Sequence, residues 1–192
     1  PYRAQLGVYA NTASELDLSV PSFASSGYIW LIWDEPLQRY LDAAGISIDQ
    51  RFTLLNTLIS DAPPDLQPIG EGPERRVDGG YYQLFGYRGR YLLDQASFRH
   101  YPFMSISLPV FIEADDVDGS LSYDKLRLEP DIRDSGMGFN ARILGWLNQG
   151  WSIAEYRHQY ATSFGQGGGE SDYSLVLFDI SFGTSAWAAV WR

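Results

Sequence analysis

The sequence predicts an all-β fold, an immunoglobulin-like β-sandwich of about ten strands with one short helix. Segments that alternate apolar and polar residues recur at regular spacing, with turn-forming residues between them. This pattern is typical of strands that bury one face. Aromatic residues make up 15% of the chain, and aromatic residues favour strands. Residues 1–192 are enough for a single domain with a core between two sheets.

The first half contains two clear alternating segments. In Gln5–Ser14, the small apolar residues fall on one face: Leu6, Val8 and Ala10. In Phe23–Trp33, one face carries Tyr28, Trp30 and Ile32, and the other carries Ile29, Leu31 and Trp33. Ser14–Asp17 is predicted to be a turn between these strands.

The next stretch predicts the helix and a proline-rich loop. Asp34-Glu35-Pro36 ends the second strand, and Leu37–Ala44 is the helix candidate. Arg51–Ser60 suits either a strand or a short helix. Asp61–Pro73 holds four of the ten prolines and is predicted to be loop. Asp78-Gly79-Gly80 predicts a hairpin turn that leads into a long strand at Tyr81–Leu93.

The second half predicts further strands with glycine-rich breaks. The strands expected are Ser105–Glu113, Leu126–Ile132, Arg142–Leu147, Trp151–Tyr160 and Tyr173–Phe182. Gly136-Met137-Gly138 is expected to break one strand, and Asn148-Gln149-Gly150 to join two. Phe164–Asp172 is expected to be a flexible hairpin tip.

Charge and composition exclude several classes of function. The net charge is −10, so a nucleic-acid partner is not expected. Thirteen of the fourteen basic residues are Arg, which favours specific forked hydrogen bonds over a diffuse cationic surface. The chain has no Cys, which excludes disulfides and thiolate chemistry. The apolar segment Ala186–Arg192 contains two Trp and predicts either the approach to a transmembrane helix or a C-terminal strand.

The most specific motif is Phe98-x-x-Tyr101-Pro102-Phe103, followed by a strand containing Leu108 and Ile112. It resembles the loop between strands six and seven of pentameric ligand-gated ion channels, in the prokaryotic members that lack the two cysteines. Gly150-Trp151 is similar to the start of strand nine in those channels. The order of the remaining elements also resembles their extracellular ligand-binding domain over nearly the whole chain.

The resemblance implies a binding site for a small molecule between neighbouring subunits. It places Tyr160, Phe164 and Tyr173 on the first side of that site. It places Trp30, Tyr82 and Arg88 or Arg90 on the second side. Aromatic residues would bind a cationic amine, whereas the arginines would bind a carboxylate, so the ligand charge stays open.

The same resemblance predicts a domain on the extracytoplasmic side of the cell membrane. It implies a homo-pentamer in the full-length protein, coupled to the protein's own transmembrane region or another output domain. Tyr101, Pro102 and Phe103 would form the coupling loop. Two charges expected for coupling are replaced here, because Met104 stands at the position of an Asp and Asp179 near that of an Arg. We therefore expect a sensor whose coupling differs from the usual one.

Sites for metals and catalysis are weaker expectations. Asp115, Asp116 and Asp118 form an acidic run that suits a loose calcium site, although it fails the EF-hand spacing. The alternative is a solvated turn. His100 and His158 are the only histidines and are expected to be structural or solvent-facing.

These observations predict a small-molecule-binding sensor domain that carries out no covalent chemistry and has no cofactor other than this calcium. The first alternative is a carbohydrate-binding, lectin-like β-sandwich that uses exposed Trp and Tyr. The second is a hydrolase on the same kind of sandwich.

Overall fold

The computed structural model describes residues 1–58, 65–93, 105–115, 121–164 and 169–184. The described residues form ten strands in two sheets, with one α-helix and one short 3₁₀ helix, so the predicted all-β sandwich is confirmed. The elements are β1 Tyr2–Asp17, β2 Ser22–Trp33, α1 Glu35–Ala44, the 3₁₀ helix Ile48–Arg51, β3 Phe52–Leu54, β4 Asp65–Arg75, β5 Tyr81–Leu92, β6 Ser105–Ala114, β7 Leu126–Pro130, β8 Gly136–Ala141, β9 Leu147–Tyr160 and β10 Ser171–Gly183.

One sheet has six strands and the other has four. The six-stranded sheet runs β4-β5-β2-β1-β7, and β8 also pairs with β1. Strand β1 is antiparallel to β2 and parallel to both β7 and β8. The four-stranded sheet runs β3-β6-β10-β9 and is antiparallel throughout.

The core lies between the two sheets and follows the predicted alternation. Val8, Leu31 and Phe85 from the larger sheet and Ile112 and Phe178 from the smaller one are at most 2% exposed. The intervening residues of β2 are partly or largely exposed, as predicted for Tyr28, Trp30 and Ile32. Burial of one face on each sheet therefore holds the layers together.

The single helix begins directly after β2 and is capped at both ends. The Asp34 carboxylate accepts a hydrogen bond from the backbone N–H of Leu37 at 3.1 Å. Pro36 occupies the first turn, where a missing N–H costs nothing. Gly45 ends the helix with a φ of 66°. The helix buries Leu37 and Leu41 and confirms the prediction over Leu37–Ala44.

The prediction of loop over Asp61–Pro73 is wrong from Asp65 onward, where β4 begins. Pro68 and Pro73 are tolerated because β4 is an edge strand that pairs with β5 alone. Its pairing shifts between Ile69 and Glu74, so the prolines lie in an irregular ladder.

Two glycines that were predicted to break a strand instead allow β8 to pair with β1. A Cβ atom at Gly136 would lie 3.5 Å from the Tyr9 ring, and one at Gly138 would lie 3.2 Å from the carbonyl oxygen of Asn11. A side chain at Gly138 would therefore be crowded, whereas one at Gly136 would meet the Tyr9 ring at an ordinary contact distance.

Three other boundaries differ from the prediction. The predicted turn at Ser14–Asp17 belongs to β1, and the chain turns only after it. The predicted strand Arg142–Leu147 is a turn up to residue 146. Asn148-Gln149-Gly150 lies inside β9 rather than joining two strands. In each case the hydrogen bonds to a neighbouring strand decide the boundary, and local residue preferences do not contain that information.

Gly27 lies at a point where β1 and β2 approach closely. A Cβ atom there would lie 2.1 Å from the carbonyl oxygen of Tyr9, where the β1–β2 pairing shifts register between Ala10 and Thr12. Backbone cannot move aside, so Gly27→Ala should lower the free energy of unfolding by about 2 kcal/mol or more. Urea denaturation measures the change.

Gly86→Ala is the matched control in the adjacent strand. Its added Cβ would meet only the Ile69 Cδ1 atom, at an ordinary contact distance of 3.7 Å. A stability loss equal to that of Gly27→Ala would show that β propensity, rather than the close approach, sets the cost.

Candidate functional site

The residues predicted to bind a ligand lie on two different sheets. Tyr160, Phe164 and Tyr173 lie at one end of the β9–β10 hairpin in the four-stranded sheet. Trp30, Tyr82 and Arg88 lie on the outer face of the six-stranded sheet. The structure therefore brings each set together but keeps the two sets apart within one chain.

The first set lies beside a buried carboxylate, which Tyr160 contacts directly. Together with that carboxylate and a neighbouring histidine it is called the Glu113 cluster here: Glu113, His158, Tyr160, Phe164 and Tyr173. The Tyr160 ring centroid lies 4.4 Å from that of His158, 5.2 Å from that of Phe164 and 5.9 Å from that of Tyr173. Both of the latter contacts are edge-to-face, an arrangement that aromatic rings favour.

The Glu113 carboxylate is the polar centre of this cluster and only 5% of the residue is exposed. Its Oε1 atom accepts a hydrogen bond from the Tyr160 hydroxyl at 2.7 Å, and its Oε2 atom contacts Nδ1 of His158. Burial and the hydrogen bond to Glu113 raise the pKa of Tyr160 above its ordinary value. Tyr160 therefore stays protonated and keeps donating to the carboxylate at physiological pH.

Strand register explains how the cluster assembles. Tyr173 of β10 is paired with His158 of β9. Two residues further along β10, Leu175 is paired with Tyr156 of β9 on one side and with Glu113 of β6 on the other. Paired residues in a sheet point to the same side, so side chains distant in sequence share one face. Phe164 follows at the end of β9 with a φ of 49°, which is unusual for a residue other than glycine.

Sequence reasoning missed Glu113 and His158. The chain pattern placed Glu113 at the end of a strand, beside an acidic run, and gave no reason to expect burial. His158 was predicted to be structural or solvent-facing, and it contacts Glu113 from a position 45 residues away. Only the pairing of β6, β10 and β9 brings the two together.

The second set lines a shallow groove that runs along β2, called the β2 groove here. One part has a volume of about 420 Å³, and its lining includes Tyr9, Tyr28, Trp30, Tyr82 and Asp134. A second part of about 410 Å³ shares Tyr28, and its lining includes Asn11, Gln67, Gly86 and Arg88.

Arg90 lies outside both regions. Its guanidinium donates to the Glu15 carboxylate at 2.8 Å and to the Glu15 carbonyl oxygen at 3.0 Å. Arg90 also donates to the Ser22 hydroxyl at 3.3 Å. These contacts fasten the end of β5 to the end of β1 and the start of β2, so Arg90 has a structural role.

The predicted calcium site and coupling loop fall largely outside the described residues. Asp116 and Asp118 lie there, as do Tyr101, Pro102, Phe103 and Met104. Asp115 is described, and its backbone N–H donates to the carbonyl oxygen of Arg51 at 2.9 Å. Across the part of the chain that the structure describes, no group of three or more His, Asp or Glu side chains could hold a metal ion.

Asp179 is partly buried in the four-stranded sheet. The Ser107 hydroxyl donates to its Oδ2 atom, and Oδ1 is buried without a hydrogen-bond partner among the described residues. Burial raises the pKa of Asp179 above its ordinary value, although the hydrogen bond from Ser107 opposes the shift.

The sequence matches no protein-family model and no curated protein. None of the helices in the described segments is long and apolar enough to cross a membrane.

Asp179 makes stability depend on pH. Because its pKa is higher in the folded than in the unfolded chain, the folded state is favoured while the carboxyl is protonated. This contribution is complete below the usual aspartate pKa of 3.8 and is lost as the pH rises through the raised value. Asp179→Asn should therefore raise the free energy of unfolding at pH 7 and change it little at pH 3.

Denaturation curves at several pH values check this, with the exposed Asp124→Asn as the control. A loss of stability at pH 7 in Asp179→Asn would mean that the ionised carboxylate stabilises the fold, contrary to the argument.

Proposed function

We propose that this protein is a small-molecule-binding sensor domain whose ligand carries a positive charge. The observation that supports this proposal is the Glu113 cluster, in which Tyr160 and His158 contact a buried carboxylate and two further aromatic rings pack on Tyr160. Ammonium groups are attracted to aromatic ring faces within about 6 Å, and more strongly when water is excluded.

The arrangement of charges favours a cation over an anion. Arg90, which could have paired with a carboxylate ligand, is hydrogen-bonded to the Glu15 carboxylate instead. Arg88 lies on the other sheet, away from the cluster. By contrast, Glu113 is a buried acidic group, and its negative field is poorly screened by solvent.

The resemblance to pentameric ligand-gated channels extends this proposal to a cellular role. On that basis the domain acts at the extracytoplasmic side of the membrane, in a homo-pentamer of the full-length protein. Ligand binding would be passed to a membrane-linked output. Asp179 sits near the position of an expected Arg and is hydrogen-bonded to Ser107 within its own sheet. This supports a coupling that differs from that of the channels.

Two ligands of similar shape and opposite charge test the proposal. Tryptamine and 3-indolepropionate share an indole ring, and only the first carries an ammonium group. We expect calorimetric titration at pH 7.5 to show tryptamine binding at least about tenfold more tightly, as expected for a cation near aromatic rings. Glu113→Gln should weaken tryptamine binding by about 10- to 100-fold, because it removes a charged partner.

Phe164→Ala provides a second variant because its side chain is 60% exposed, so the change should leave the fold intact. It should weaken tryptamine binding by about threefold to thirtyfold through loss of one ring face. Glu129→Gln is the control, since Glu129 is a partly exposed acid bonded to Arg3. Equal binding of both ligands, or unchanged binding in a folded Glu113→Gln variant, would contradict the proposal.

A further inference from the structure

The β2 groove is long and open, which suits an extended ligand. Its two parts, of about 420 and 410 Å³, meet at Tyr28. Together they follow β2 from Ser26 to Ile32, a distance of roughly 20 Å for the six steps between these seven residues. A ligand lying there would cross neither the Glu113 cluster nor the sandwich core.

The floor of the groove is aromatic and partly immobilised. The Trp30 indole lies directly over Gly7, because a Cβ atom at Gly7 would be only 2.1 Å from its ring atoms. Its Nε1 atom donates to Asp131 at 3.1 Å, which holds the indole in place. The Tyr9 ring lies beside Gly136, at an ordinary contact distance of 3.5 Å from the position of an added Cβ atom, and Tyr28 is 40% exposed. Rings that lie against a sheet in this manner present one face outward.

Polar side chains line the same groove. Asn11, Gln67, Arg88 and Asp134 contribute polar side chains to the lining. They provide amide, guanidinium and carboxylate groups, so donors and acceptors alternate beside the aromatic floor. Arg76 also lines the groove, and its charge is paired with Asp78. Arg88 and Asp134 carry opposite charges, so the groove as a whole favours a ligand without net charge.

We propose that the β2 groove binds a neutral oligosaccharide. The C–H faces of sugar rings pack on Trp and Tyr, while the hydroxyl groups exchange hydrogen bonds with amides, Arg and Asp. A polyanionic ligand is disfavoured by the net charge of −10. On this proposal Trp30, Tyr82 and Arg88 contact a saccharide rather than forming the second side of a site between subunits.

A second copy of the chain is the competing occupant of this face. The lining is rich in polar side chains, which a hydroxyl-bearing saccharide can use and which a contact between copies would bury. In the homo-pentamer proposed above, the subunits would therefore meet through other surfaces. The groove and the Glu113 cluster lie on opposite sheets, so a failure of one proposal would not contradict the other.

The test is a titration of the whole chain with four neutral pentasaccharides: cellopentaose, β-1,4-mannopentaose, chitopentaose and maltopentaose. Calorimetry and tryptophan fluorescence report binding. We expect at least one of them to bind about tenfold more tightly than its disaccharide, because the longer chain covers both parts of the groove.

Tyr28→Ala should weaken that binding by about tenfold, since Tyr28 belongs to both parts of the groove. Tyr156→Ala is the matched control, because Tyr156 is a 50% exposed tyrosine on the other sheet. Circular dichroism shows that each variant is folded.

Three results would overturn the proposal. The first is that none of the four pentasaccharides binds. The second is that the folded Tyr28→Ala variant binds as tightly as the unchanged chain. The third is reversible self-association in sedimentation experiments that Tyr28→Ala abolishes, which would assign the groove to contacts between copies.

Discussion

The pairing between β1 and β2 is the contact on which the larger sheet depends. Strand β1 pairs with β2 on one side and with both β7 and β8 on the other. On the far side of β2 the sheet continues with β5, which in turn pairs with β4. The pairing is close because Gly7 and Gly27 have no side chains at points where a Cβ atom would collide with the Trp30 ring or the Tyr9 backbone. The same two glycines set the shape of the β2 groove. One supports the Trp30 indole, and the other lines the groove beside Tyr28.

The smaller sheet contains two carboxylates, one buried and one partly buried, that differ in their hydrogen bonds. Glu113 contacts both Tyr160 and His158, so both of its oxygens have partners. Asp179 has a partner for one oxygen only, and burial raises its pKa. Hydrogen bonds to both oxygens stabilise a buried carboxylate, whereas burial with one oxygen lacking a partner favours the protonated form. The chemistry of the two sites follows from hydrogen bonding rather than from residue type.

Arginine side chains in this protein act mainly within the fold. Arg127 forms a forked pair with Glu155, Arg157 pairs with Asp172, and Arg90 fastens β5 to the end of β1. Arg127 and Arg157 both lie over the ring of Tyr123, at 4.0 and 5.0 Å from its centroid. The abundance of Arg over Lys therefore reflects forked and stacked contacts that a lysine could not make.

The sequence by itself determined the fold class, the single helix and the facing of the strands. Local information suffices there, because period-two alternation marks the buried face and Asp34 and Gly45 mark the helix ends. The strands β4 and β8 could not be predicted, because their prolines and glycines are acceptable only beside a particular partner strand. Six of the seven predicted binding residues do gather into two sites, but Glu113, His158 and the division between sheets were decided by tertiary structure. Contacts across 45 residues depend on strand order and register, and neither is contained in any short stretch of the chain.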